Sequence, residues 1–156
     1  RLASKLGSRV PLEAERGYHV MLPNSGIALR HKIMNFHHSF GATSMEEGLQ
    51  ITGTVEIAGV DAPPDERRAK VLLELGRRML PGLNDEGSTT WMGCRPSIPD
   101  SHPVIDRSPR FANVYFAFGH GHVGLAGAPL TARIIADLMA DRAPPIDPRP
   151  YRVDRF

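Results

Sequence analysis

Two stretches of the chain hold residue types that could do chemistry. The first is Trp91-Met92-Gly93-Cys94-Arg95-Pro96. Arg95 is flanked by Gly93 and Pro96, so its backbone is held near a turn. A guanidinium is always charged and forks onto a carboxylate through two N–H bonds. A surface arginine in a salt bridge would look the same, and the residues alone leave both readings open. The second stretch is Gly119-His120-Gly121-His122-Val123-Gly124-Leu125. Its Gly-x-Gly-x-x-Gly spacing matches a dinucleotide-binding turn, which needs a strand before it and a helix after it. The acid of such a motif must also end a second parallel strand. Asp141 instead follows the helix, and only 15 residues remain after it, so no βαβ unit can be completed. What the glycines do offer is close approach of a planar group to the backbone. The helix N-terminus beside them suits an anion, or a ring that becomes anionic on reduction. A purely structural strand-to-helix turn needs the same glycines.

Other candidates are weaker. His120 and His122 could turn two rings toward one metal ion, but no further ligand stands at suggestive spacing, and no metal is expected. His37 and His38 are neighbours in a strand-like run, which would put them on opposite faces. The Tyr18 hydroxyl could contact a substrate, or Tyr18 could be a half-buried structural residue. Cys94 is expected to be a small packed residue. No acid–base pair stands out.

The elements that must position these residues read as follows. Residues 1–7 look like a helix tail ended by Gly7. Residues 17–22 read as a strand stopped by Pro23-Asn24-Ser25-Gly26. Residues 32–45 read as one strand with a bulge at Gly41, joined through Glu46-Glu47-Gly48 to a second strand over 49–58 as an antiparallel hairpin. A helix is expected from Pro64 to about Leu80, with acids in its first turn and arginines in its last. Residues 89–94 and 113–118 read as strands, 124–140 as a long helix, and 143–156 as an extended proline-rich tail.

The chain has 156 residues, one domain's worth. Glycine and proline, 15 and 14 residues, are in excess and exclude a simple helical bundle. The net charge of +2 is too balanced to argue for nucleic acid, and the 16 arginines and 3 lysines are scattered. No apolar run approaches the ~18 residues of a membrane span. One cysteine excludes an intrachain disulfide. The first methionine is Met21 and no leader pattern opens the chain, so it reads as the C-terminal piece of something larger.

The two motifs occur in a specific order. Trp91 to Pro96 is followed by Pro99-Asp100, Pro103-Val104-Ile105, Asn113-Val114-Tyr115-Phe116 and Gly119 to Leu125. This order resembles the C-terminal part of the FAD-dependent D-amino-acid oxidase family, closest to its bacterial D-amino-acid dehydrogenases and their deaminating relatives. Arg16-Gly17-Tyr18, Gly53-Thr54-Val55-Glu56 before Gly59, and the closing Tyr151-Arg152-Val153-Asp154-Arg155-Phe156 agree with it. The resemblance implies FAD as cofactor and a small substrate with a carboxylate, gripped by Arg95. Tyr18 and His122 are expected as further substrate contacts. The resemblance places His122, Val123, Gly124 and Leu125 beside the flavin, their backbone N–H groups stabilising negative charge on the reduced ring, and Gly93, Gly119, His120 and Gly121 are expected to bind the cofactor with them. The family's N-terminal flavin fingerprint would lie upstream of Arg1, in a partner segment that binds the ADP half.

The expected fold is α+β. An antiparallel or mixed substrate-domain sheet with a covering helix occupies residues 1–88. The strand and helix that return to a Rossmann-like FAD domain occupy 89–156. The expected reaction oxidises an amino acid, or a related amine or hydroxy acid, by hydride transfer to flavin N5, without a required protein base. The isolated piece is expected to be inactive and to expose an apolar patch above roughly 600 Å². The setting is cytoplasmic, with peripheral membrane attachment and self-association left open. The rival expectation is a non-catalytic α+β binding module whose glycine turn is structural.

Overall fold

The structure, a computed structural model, describes residues 2–156. In chain order it holds α1 (Leu2–Lys5), β1 (Glu13–Leu22), β2 (Ile33–Asn35), β3 (Phe40–Met45), β4 (Gly48–Ile57), α2 (Glu66–Met79), β5 (Thr89–Ser97), β6 (Val104–Arg107), β7 (Tyr115–Phe118) and α3 (Gly124–Met139), then a 3-10 turn at Arg149–Tyr151. The strands form a five-stranded sheet in the order β2-β3-β4-β1-β5 and a separate β6-β7 pair. The pairs β2–β3, β3–β4 and β6–β7 are antiparallel, and the fold is α+β as expected. Two compact units divide the chain. One is Arg16–Cys94, and the other joins the segment before Arg16 to Arg95–Phe156. The division falls inside β1 and β5.

In the unit Arg16–Cys94, β1, β3 and β4 alternate so that Tyr18, Val20, Leu22, Phe40, Ala42, Leu49 and Ile51 form a buried core. Helix α2 covers it with Ala69 and Leu72. The Asp65 side chain caps α2 by accepting from Arg67 N, so the helix starts two residues after Pro64. Gly76 sits mid-helix because a Cβ there would lie 2.3 Å from Ile51 Cδ1. The Glu46-Glu47 hairpin forms where the sequence places it, with Met45 opposite Gly48.

The expected single strand over 32–45 is in fact a hairpin. The Asn35 side chain accepts from His38 N at 3.0 Å and Ser39 takes φ +51°, which reverses the chain. His37 and His38 therefore sit exposed in a turn and not on strand faces, their rings edge to face at 4.5 Å. Gly41 is no bulge, because it pairs regularly with Met34 and Thr52. Strand β4 also departs from simple alternation. Thr54 takes φ +56°, a strained value for a β-branched residue, and beyond it Val55 and Ile57 are exposed while Glu56 turns inward. Cys94 is exposed and not packed.

The other unit has a core of Ile98, Val104, Phe116 and Val153. Strand β6, given no element by the sequence patterns, supplies Val104. The closing segment is no loose tail. Val153 fills this core, Val153 N donates to Asp106 Oδ2 at 2.9 Å, and Arg155 grips Asp100 through Nε at 2.8 Å and Nη2 at 3.2 Å. That grip holds the Asp100 carboxyl below its ordinary value.

Candidate functional site

The end of the first motif, Arg95-Pro96, and the glycine turn lie in the same unit, the one that holds Arg95–Phe156. Strand β7 ends at Phe118, and Gly119 follows with φ +81°. A Cβ at Gly119 would lie 2.3 Å from Ile98 Cδ1, so both the dihedral and the space demand glycine. Gly121 takes φ +50°, and its N–H donates to Pro96 O at 2.9 Å. That bond ties the glycine turn to the residue after Arg95. Arg95 is half-buried, and its Nη1 is buried with no hydrogen-bond partner among the described residues. A buried guanidinium N–H without an acceptor is costly unless something supplies one.

Helix α3 opens beside the turn. Among the described residues no side chain caps it, and its first hydrogen bond is Gly127 N to Val123 O, 2.8 Å. The amides of Gly124, Leu125 and Ala126 precede that bond and point out of the helix end. Leu125 is 94% exposed, an apolar side chain left open where the helix begins. His120 turns back onto the helix. Its Nε2 lies 2.9 Å from Thr131 Oγ1, its Cβ is 3.3 Å from where a Gly124 Cβ would be, and burial pulls its imidazole below the ordinary value.

His122 points elsewhere, with Nε2 2.6 Å from Glu15 Oε2. The two rings of the turn thus have separate partners. No cluster of three or more His, Cys, Asp or Glu side chains suited to a metal occurs among the described residues. A cavity of about 150 Å³ under the turn is lined by Glu15, Ser97, Ser101, His120 and His122, among others. Glu15 was missed from sequence because it stands 107 residues from His122. Only the fold brings the two together.

Two expected residues lie in the other unit. Gly93 leaves room for the Trp91 ring, since a Cβ would lie 2.1 Å from it, and that ring stacks on His19 at 5.0 Å. Tyr18 is buried. Its hydroxyl donates to Glu56 Oε2 at 2.7 Å and accepts from Asp65 N at 2.9 Å and Arg16 Nη2 at 3.4 Å. One donor and two acceptor positions are all a hydroxyl has. Arg16, fully buried, also donates to Pro63 O at 2.7 Å and lies 3.2 Å from Glu56. The Arg16-Gly17-Tyr18 and Gly53 to Glu56 motifs therefore meet as a buried tie between β1, β4 and the start of α2.

A strand, a glycine turn and an open helix N-terminus beside an unpaired arginine suit a protein that handles an anionic or redox-active planar group. Comparison with known proteins gives the class. A family model described as FAD dependent oxidoreductase matches residues 1–138. The chain is 39% identical to a D-amino-acid oxidase of Bradyrhizobium diazoefficiens, an alignment covering 100% of this chain and 38% of the oxidase. It is 33% identical to a D-amino acid dehydrogenase of Paramagnetospirillum magneticum, over 99% of this chain and 37% of that protein. Its fold is similar to glycine oxidase from Geobacillus kaustophilus, with a TM-score of 0.83 at 19% identity over 100% of this chain and 42% of that one. The chain belongs to the FAD-dependent oxidoreductase family, and it spans less than two fifths of the length of the named oxidase and dehydrogenase. The residues present fit part of a flavin site: an uncapped helix end whose first amides make no hydrogen bond and an exposed apolar side chain beside it.

Proposed function

We propose that this chain is the C-terminal part of an enzyme that oxidises an amino acid, or a related amine or hydroxy acid, by hydride transfer to flavin N5. The observation that carries the reading is Arg95, whose buried Nη1 has no partner and whose neighbour Pro96 anchors the glycine turn. A substrate carboxylate is the acceptor it lacks, and two parallel N–H bonds would fix the substrate's orientation as well as its charge. The names of the oxidase and the dehydrogenase among its relatives support an amino acid as substrate.

When bound, FAD supplies the ring that takes the substrate's α-hydrogen as hydride at N5. Residues 119–125 would hold that ring. Gly119 and Gly121 shape the turn, with positive φ and close packing on Ile98 and Ser97. The free amides of Gly124 and Leu125, with the partial positive charge of α3, oppose negative charge that develops there. His120 braces the turn against Thr131, and Val123 and Leu125 offer apolar cover. Gly93 belongs to the same proposal through its backbone, its side-chain position being filled by the Trp91 ring. Tyr18 contributes by its tie to Glu56 and Arg16, since its hydroxyl is fully used.

Residues 1–88 would serve mostly as substrate-domain segment and 89–156 as the return of the flavin domain, with an upstream segment as partner for the ADP half. No helix among the described residues is long and apolar enough to cross a membrane. A cytoplasmic setting is part of the proposal. Replacing Arg95 with lysine in the FAD-containing enzyme tests it: KM for amino acids should rise while FAD stays bound. An unchanged KM would remove Arg95 from the substrate site.

A further inference from the structure

The β2–β3 hairpin lies outside the residues assigned to flavin and substrate, and its surface is unlike the rest of the chain. Strand β2 is an edge of the five-stranded sheet, and residues 36–39 turn it back into β3. The Asn35 side chain bonds His38 N and Ser39 takes φ +51°, so Phe36 and the two histidines stand at the hairpin tip. Phe36 is 86% exposed, and Ile33 and Met34 are exposed on the strand that leads to it. Arg30, His31, Lys32, His37 and His38, all exposed, surround them. No acid offsets these bases, because the sequence has no Asp or Glu from Arg16 to Met45. Over the whole chain acids and bases nearly balance, at 17 and 19, so the imbalance is local. Charge on an edge strand guards against unwanted pairing. That reason does not extend to Phe36, an apolar ring held in water past the end of the strand.

We propose that this hairpin docks on an anionic lipid surface, with Phe36 entering the headgroup layer and Arg30 and Lys32 meeting lipid phosphates. Charge selects the class of partner, since bases without a neighbouring acid complement an anionic surface. Size selects a bilayer over a protein. Three apolar side chains on a short edge strand and its turn cannot supply the ~800 Å² per partner of a stable protein interface. A headgroup layer takes single apolar side chains at shallow depth, with bases beside them on the lipid charge. A nucleic acid would match the charge and leave the apolar tip without a use. The docking is weak and reversible. Each fixed base strengthens it about fivefold, and burying the ring adds about tenfold. It does not depend on which substrate the enzyme oxidises.

Co-sedimentation of the full-length, FAD-containing enzyme with lipid vesicles tests this. The enzyme should bind vesicles of equal parts phosphatidylcholine and phosphatidylglycerol far better than phosphatidylcholine alone, and rising salt should release it. Phe36→Ser should lower the partition coefficient about tenfold. Arg30→Gln combined with Lys32→Gln should lower it about 25-fold. Phe36→Trp should bind like the wild type, and brominated lipid should quench the emission of the added indole. An enzyme that stays in the supernatant, as it would if another part of the protein covered the hairpin, overturns the proposal. So does binding that Phe36→Ser leaves unchanged, because a purely electrostatic contact needs no apolar tip. Binding that survives loss of Arg30 and Lys32 at full strength overturns it as well, since the charge would then play no part.

Discussion

Arg95 and Arg16 show how the same side chain serves two ends. Arg16 is fully buried; it pairs with Glu56 and donates to Pro63 O and the Tyr18 hydroxyl, which stiffens the sheet, while its Nε and Nη1 make no hydrogen bond among the described residues. Arg95 is half-buried, and its buried Nη1 has no hydrogen-bond partner among the described residues. Lysine at position 95 keeps the charge but loses the fork. A charged bidentate contact is worth roughly 1.5–3 kcal/mol, which corresponds to about 10- to 100-fold in KM. We expect that rise for Arg95→Lys in steady-state assays with amino acids, with the flavin content of the purified protein unchanged. Loss of flavin in place of a KM effect would mark Arg95 as a cofactor or structural residue.

Helix α2 lies close to the sheet because Gly76 lets it. Alanine in a helix interior is intrinsically better than glycine by about 1 kcal/mol. At Gly76, however, the added methyl meets Ile51 Cδ1 at 2.3 Å in a core with no exposed surface. Overpacking of this kind costs typically 1–3 kcal/mol, so the clash should outweigh the propensity gain. Gly76→Ala is expected to lower stability in urea denaturation. Ile51→Val, which removes the offending carbon, should make Gly76→Ala neutral or stabilising in its background. Additive losses in that double-mutant cycle would show that the contact is not the cause.

Helix α3 has a different weak point at its C-terminal end. An acid there opposes the helix dipole, yet Asp137 is buried. Arg133 Nε at 2.6 Å, then Arg142 Nε at 2.8 Å, hold its carboxyl below the ordinary value. Because the folded-state value is depressed, this contribution is present above the ordinary carboxylate range and is lost as pH falls through the depressed value. The stability difference between wild type and Asp137→Asn should therefore be full at pH 5–7 and close as pH drops below about 4. A gap independent of pH would mean that shape, not charge, sets the effect.

At the scale of the whole molecule, the second unit looks built to be covered. Among the described residues β7 pairs with β6 alone. A cleft of about 310 Å³, lined by Leu2, Leu12, Tyr115, Phe116 and Phe118, lies open at that strand. Leu125, Val123 and Met139 are exposed on and beside α3. Unpaired strand edges and contiguous apolar surface favour association. Expressed by itself, the chain should run above its 17.1 kDa monomer mass in light scattering and hold FAD poorly in equilibrium dialysis. A monodisperse monomer that retains stoichiometric FAD would show that no further segment is needed.

The sequence by itself determined the family, the α2 and α3 helices, the Glu46-Glu47 hairpin and the glycine turn. The helices, hairpin and turn depend on local period, caps and turn residues, and the family on the order of motifs along the chain. Arg95 took its candidate role from the resemblance carried by the motif order, since the residue type alone left a surface salt bridge equally open. The tertiary structure alone decided what depends on distant partners. The turn at residues 36–39 arose from an Asn35 bond to the backbone that competed with strand propensity. Glu56 faces inward because Thr54 reverses the alternation of β4. The closing segment folds back because Val153 has a core to fill. Glu15 reaches His122 across 107 residues, a pairing that no spacing rule can read because it exists only once β1 and the glycine turn are packed side by side.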